Sequence, residues 1–150
     1  MKHNAALIIY VGRKHQKHSQ IISDLNAENL TTSELDLPRN DINSCSINDN
    51  ISRAIQKIDL LIVYLSKETK SHACINVSVE FAKAHAKRIV GIWLDDAEPD
   101  DLCGSIGAYG DSITPYDANI KEIFCGRSDV WVNPDYSNPP TTKIKKHTCG

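Results

Sequence analysis

Leu60-Leu61-Ile62-Val63-Tyr64-Leu65, continued by Ser66-Lys67-Glu68-Thr69-Lys70-Ser71-His72-Ala73-Cys74-Ile75-Asn76-Val77-Ser78-Val79-Glu80-Phe81-Ala82, is the stretch that decides the fold. An unbroken apolar run of strand length needs cover on both faces, which is the situation inside a parallel sheet. The polar segment after it leads into a helix read from about Ala73 to Ala86, with Cys74, Val77, Phe81 and Ala84 expected as its inward stripe. Glu80 falls outside that stripe and shares a polar face with Asn76, one turn earlier. Such a helix starts from the carboxyl end of its strand, where open α/β sheets bind ligands. Glu80 is therefore the candidate catalytic acid.

Working outward, Ile47, Ile51, Ala54, Ile55 and Ile58 fall on one helical face just before the buried run. Ser46 and Asp49 have the spacing of a capping box with the shorter acid. Ala5 to Val11 reads as a first strand, His18 to Leu25 as a first helix, and Leu30 to Leu37 as a more exposed second strand. Pro38 to Ser44 is a turn-rich loop. Downstream, Arg88 to Leu94 is another apolar strand, followed by the acidic segment 95–101 and a short strand over Ser112 to Thr114. Asp117 is read as the cap of a helix from Ala118 to Phe124, stopped by Gly126.

Strands alternating with helices predict right-handed crossovers and a three-layer α/β fold, a central parallel five-stranded sheet with helices on both faces. The expected strand order is flavodoxin-like, 2-1-3-4-5. One domain over residues 1–132 and an extended tail over 133–150 are expected from the Pro-, Asn- and Lys-rich composition of the end. In that order Gly12 and Arg13, the Pro38 to Ser44 loop carrying Arg39, Ser66 to Ser71, and Asp95 to Asp96 converge on one edge. Arg13 and Arg39 suit phosphate oxygens because a guanidinium offers paired donors. Tyr10 is a candidate for stacking on a base, and Ser66 for lining a pocket.

Composition narrows the function. A net charge of -2 over 150 residues gives no electrostatic footprint for nucleic acid, and Lys143 to Lys146 is too short for a basic arm. No stretch reaches the ~18 apolar residues of a membrane span, so a cytoplasmic protein without membrane contact is expected. Five widely spaced cysteines, Cys45, Cys74, Cys103, Cys125 and Cys149, make neither a zinc ribbon nor a disulfide framework. They are expected as free thiols in a reducing compartment. His15 and His18 lack a third ligand at a telling distance, and Asp95 and Asp96 are read as solvent-facing, so no metal is expected.

The chain resembles the TIR domain family, in particular bacterial TIR-like proteins of Thoeris-type anti-phage defence. Ile8-Ile9-Tyr10 followed by Arg13 resembles the family's first-strand motif, and the loop after the second strand resembles its BB loop. Asn50 to Ser66 is similar to the family's helix-to-strand motif, Thr69 to Ala82 to the segment carrying its glutamate, and Lys87 to Ile92 to the next strand. Two positions depart: Asn76 stands where members often have tryptophan, and Tyr10-Val11-Gly12 replaces the usual Ser-Tyr.

The resemblance implies cleavage of the nicotinamide–ribose bond of NAD+, used as substrate rather than cofactor. It also implies self-association and a separate effector that reads an ADP-ribose-derived product. Nicotinamide leaves as a neutral base, and a carboxylate such as Glu80 stabilises the positive ribose left behind. Tyr10, Gly12, Arg13, Arg39, Ser66 and Asn76 are the expected substrate contacts. Two alternatives stand beside this reading. Glu80-Phe81-Ala82-Lys83-Ala84 is also similar to the glutamate motif of nucleoside 2-deoxyribosyltransferases, and Asn76 fits a catalytically silent TIR-like assembly protein.

Overall fold

The computed structural model describes residues 4–117 and 119–137. Five parallel strands, β1 (Ala5–Tyr10), β2 (Thr31–Asp36), β3 (Leu60–Leu65), β4 (Arg88–Trp93) and β5 (Ser112–Thr114), lie in the order β2-β1-β3-β4-β5. This is the flavodoxin-like order that the alternating elements predict. The central strands are paired in one register, with Ile8 beside Ile62 and Ile62 beside Val90.

Alternation along each strand divides the core into two layers. Leu7, Ile9, Leu61, Val63, Leu65, Ile89 and Trp93 face one way, toward α2 (Asn48–Gln56) and α3 (Ala73–Ala84). Ala6, Ile8, Tyr10, Leu60, Ile62, Tyr64 and Ile92 face the other, toward α1 (His18–Ala27) and, past the short α4 (Gly104–Tyr109) on the first face, α5 (Ile120–Phe124). All six residues of β3 are buried, as its unbroken apolar run requires. The edge strand β2 is mostly exposed, and its Thr- and Glu-bearing sequence suits a solvated edge.

Several local details differ from the sequence reading. Ser46 does not cap α2: its N–H and hydroxyl both donate to the Asp41 carboxylate, at 2.7 and 2.8 Å, and Ile47 stands at the cap position. The buried stripe of α3 is Cys74, Ile75, Ser78, Val79 and Ala82, while Ala84 is exposed. Ser78 enters that stripe because its hydroxyl donates to the Cys74 carbonyl at 2.7 Å, which satisfies a buried polar group within its own helix. Phe81 lies on the flank, stacked on His85. Helix α4 was not foreseen; six residues with two glycines carry too little periodicity to read.

Helix α5 begins at Ile120 with Asn119 at its cap, and Asp117 accepts the Asn119 N–H ahead of it. Residues 133–137 form a turn closed by Asn133 N–H to the Ser137 carbonyl, not an extended tail. The rest of the expected tail, including Cys149 and Lys143 to Lys146, lies outside the described residues. The cysteine expectation is corrected as well: Cys45 and Cys74 form a disulfide, with α-carbons 4.9 Å apart, while Cys103 and Cys125 are free. Spacing along the chain could not reveal a pair that only the packing of one loop on α3 brings together.

Candidate functional site

At the carboxyl ends of the strands lies a groove of about 350 Å³. Its apolar wall is Val11, just after β1, and the exposed Ile42 of the loop after β2. Its charged wall comes from Arg39 in the same loop and from Lys67, Glu68 and Lys70 in the segment after β3. Ser71 and the buried His72, ahead of α3, close it. Three cations against one carboxylate make the groove electropositive. A depression of similar size, about 370 Å³, lies near Lys83, Lys87, Arg88, Tyr109 and Asp111 at the opposite, amino ends of the strands. The carboxyl-edge groove is the better candidate, because there the chain changes direction between β1 and β3.

Two loops are stitched together to shape it. The His72 ring accepts the Cys74 N–H at Nδ1, 3.1 Å away, and Nε2 donates to the Pro38 carbonyl at 2.5 Å. The Ala73 N–H donates to the Asp41 carbonyl at 2.9 Å. After β3, the Ser66 N–H donates to Thr69 Oγ1 at 3.0 Å, and that hydroxyl donates to the Ser66 carbonyl at 2.9 Å. This turn throws Lys67, Glu68 and Lys70 outward into the groove.

Arg13 closes the site on the far side, donating to Glu68 Oε1 at 3.1 Å and to Asp96 Oδ2 at 2.9 Å. Burial pushes the Glu68 carboxyl up, but hydrogen bonds from Ser66 and Arg13 outweigh it and hold the group below its ordinary value. The hydrogen bond from Arg13 likewise holds Asp96 low. Glu68 is thus an ionised carboxylate inside the groove, held by a guanidinium.

The structure brings together only part of the predicted set. Gly12, Arg13 and Arg39 meet at this edge. Arg13 is already matched by two carboxylates, one of which, Asp96, is solvent-facing as expected while it accepts the guanidinium hydrogen bond. Tyr10 is 7% exposed and stacks on Tyr64 in the α1 layer, so it does not face the groove. Ser66 is buried and serves the turn. Asn76 is half-buried in the first half of α3. Glu80 is exposed on α3, outside the groove, and no salt bridge joins it to Lys83 among the described residues.

The sequence reading brings Ser66 to Ser71 to this edge but names only Ser66 there as a site residue, so Lys67, Glu68, Lys70 and His72 are groove residues it does not single out. Charges directly after a buried parallel strand fall on the ligand edge, which is the signal that marks the first three. The sequence reading also missed that Asp41, Cys45 and Cys74 gather, their ligating atoms within 4.8 Å of one another. His15 and His18 are spent on packing and hydrogen bonds: His15 is buried beside Tyr64 and Tyr116, and His18 bridges the Tyr64 hydroxyl and Glu34 at 2.7 and 2.9 Å.

The model of the Thoeris protein ThsB, TIR-like domain, matches residues 10–99, well over half of the chain. The chain belongs to that family. The match runs from the last residue of β1 to the segment after β4 and so includes every wall of the groove. No curated protein matches the chain. As a TIR-like domain of the Thoeris type, it is a TIR-type defence protein, and its flavodoxin-like sheet agrees with the family. No helix among the described residues of this TIR-like domain is long and apolar enough to cross a membrane.

Proposed function

We propose that this TIR-like domain binds NAD+ in the carboxyl-edge groove and cleaves its nicotinamide–ribose bond, giving an ADP-ribose-derived signal in cytoplasmic anti-phage defence. The observation that carries the reading is the groove itself. Arg39, Lys67 and Lys70 offer cations to a pyrophosphate, beside Val11 and Ile42 as an apolar surface for a base or ribose. Its volume, about 350 Å³, is within the ~300–1,000 Å³ of small-molecule sites.

Cleavage calls for a carboxylate where positive charge develops on the ribose. In this reading Glu80 supplies it from a neighbouring copy, because in its own chain it stands outside the groove. Self-association is then part of the chemistry, and a separate effector reads the product.

The test is nicotinamide release from NAD+ by the concentrated protein, followed by chromatography. Loss of release in Glu80→Ala and in Arg39→Ala, with partial recovery when the two variants are mixed, is the expected result. Release that survives both substitutions would sink the proposal. The exposure of Glu80, together with Asn76 at the departing position, favours one second reading, a catalytically silent assembly protein. That reading predicts NAD+ binding, measured by calorimetry, without any nicotinamide release. Base exchange on deoxynucleosides with NAD+ untouched would instead support a transferase.

A further inference from the structure

We propose that Asp41, Cys45 and Cys74 form a redox-gated site for a thiophilic divalent metal ion of the zinc class, opened when the Cys45–Cys74 disulfide is reduced. Their ligating atoms already lie within 4.8 Å of one another. Asp41 Oδ2 is 3.4 Å from Cys74 Sγ. In a tetrahedral zinc centre a thiolate sulfur and a carboxylate oxygen stand roughly 3.5 Å apart, and two thiolates roughly 3.8 Å. The two sulfurs have to separate, which side-chain rotation achieves with α-carbons 4.9 Å apart.

The surroundings fit a ligand set better than a bare cross-link. Asp41 is oriented by the Ser46 N–H and hydroxyl, which donate to its Oδ2 at 2.7 and 2.8 Å. Outer contacts of this kind fix ligating carboxylates in metal centres. Cys74 lies in the first turn of α3, where the helix N-terminus favours a thiolate. The loop is also tied to α3 without the disulfide, through His72 to Pro38 and Ala73 to Asp41. The ligand positions therefore persist after reduction. Cys45 and Asp41 are only half-buried, leaving an approach for the ion and a fourth position for water.

The chemistry balances with a dithiol reductant. It delivers two electrons and two protons, the S–S bond breaks to two thiols, and the reductant becomes a disulfide. Metal binding then displaces both thiol protons to solvent. Either state, covalent or coordinated, holds the loop carrying Arg39 and Ile42 against α3.

The experiment reduces the full chain, removes the reductant without oxygen, and titrates with Co2+ as probe. Expected are a thiolate-to-cobalt charge-transfer band saturating at one equivalent, tetrahedral bands in the visible, and displacement by Zn2+. The oxidised protein gives neither band. Cys45→Ser, at a half-buried loop position, abolishes the charge-transfer band while circular dichroism stays unchanged. Ser46→Ala weakens Co2+ binding about tenfold. Cys103→Ser and Cys125→Ser leave the spectrum intact. A reduced protein without the band, or a band that survives Cys45→Ser or disappears with Cys103→Ser, would overturn the proposal. Unchanged affinity in Asp41→Asn would remove the carboxylate from the ligand set and overturn the three-residue site.

Discussion

The guanidinium of Arg39 lies against the α-carbon of Gly12, where an added Cβ would stand 2.7 Å from the Arg39 Nε. Gly12 has φ +80°, and its N–H donates to Asp36 Oδ1 at 2.8 Å. The ends of β1 and β2 and the loop beyond are thus joined at one residue, and one of the groove's cations is seated on bare backbone.

Gly12→Ala is expected to destabilise the domain by about 1–3 kcal/mol, from the left-handed backbone and the displaced side chain. It should also weaken NAD+ binding, because Arg39 must leave its seat. Urea denaturation and calorimetry check the two effects. Unchanged stability and affinity would show that the close approach has no consequence.

Ile55→Ala, at a fully buried position of α2, is expected to cost about 2–5 kcal/mol, the usual range for emptying a core site. Ile47→Ala, at the half-buried cap position of the same helix, should cost clearly less. Urea midpoints of the two variants give the order directly, and a reversed order would contradict the packing described.

How legible these features are in the sequence follows from how local their causes are. The period of Ile47, Ile51, Ile55 and Ile58 and the unbroken run of β3 are local, so α2 and β3 are readable, and the strand order follows from their alternation under the crossover rules. The inward face of α3 is not readable, because Ser78 hides its hydroxyl on the Cys74 carbonyl and so occupies a core position that polarity argues against. Tyr10 is ambiguous for the converse reason. An aromatic at a strand end points to either layer depending on register, and here it stacks on Tyr64. The gathering of Asp41, Cys45 and Cys74, and the place of Glu80 relative to the groove, depend on how a loop and a helix pack, which no spacing records.

The Cys45–Cys74 bond spans 29 residues, and in the chain-entropy account closing a loop of that size is worth roughly 3–4 kcal/mol. A dithiol reductant with chelator present should therefore lower the urea midpoint of the wild type and leave that of Cys45→Ser unmoved. Equal midpoints with and without reductant in the wild type would refute this.

His15 is 4% exposed, and burial pushes its pKa below the ordinary 6.5 despite Asp95 at 3.9 Å. Its Nδ1 accepts the Lys17 N–H at 2.9 Å, which fits a neutral ring. The unfolded chain takes the proton first as pH falls, so the contribution of His15 is complete above 6.5. It is lost as pH drops from there through the folded-state value. Urea midpoints of the wild type should decline over that window, and His15→Gln should flatten the decline. Parallel curves for the two proteins would assign the dependence to other groups.

The order β2-β1-β3-β4-β5 has a consequence for how the chain is made. Once β1 and β2 have paired, each later strand joins an open flank: β3 on the other side of β1, then β4 beside β3, then β5 beside β4. No strand has to slip between two that are already bonded. A polypeptide leaving the ribosome from its amino end can lay down this sheet in the order of synthesis, with the newest strand always the outermost.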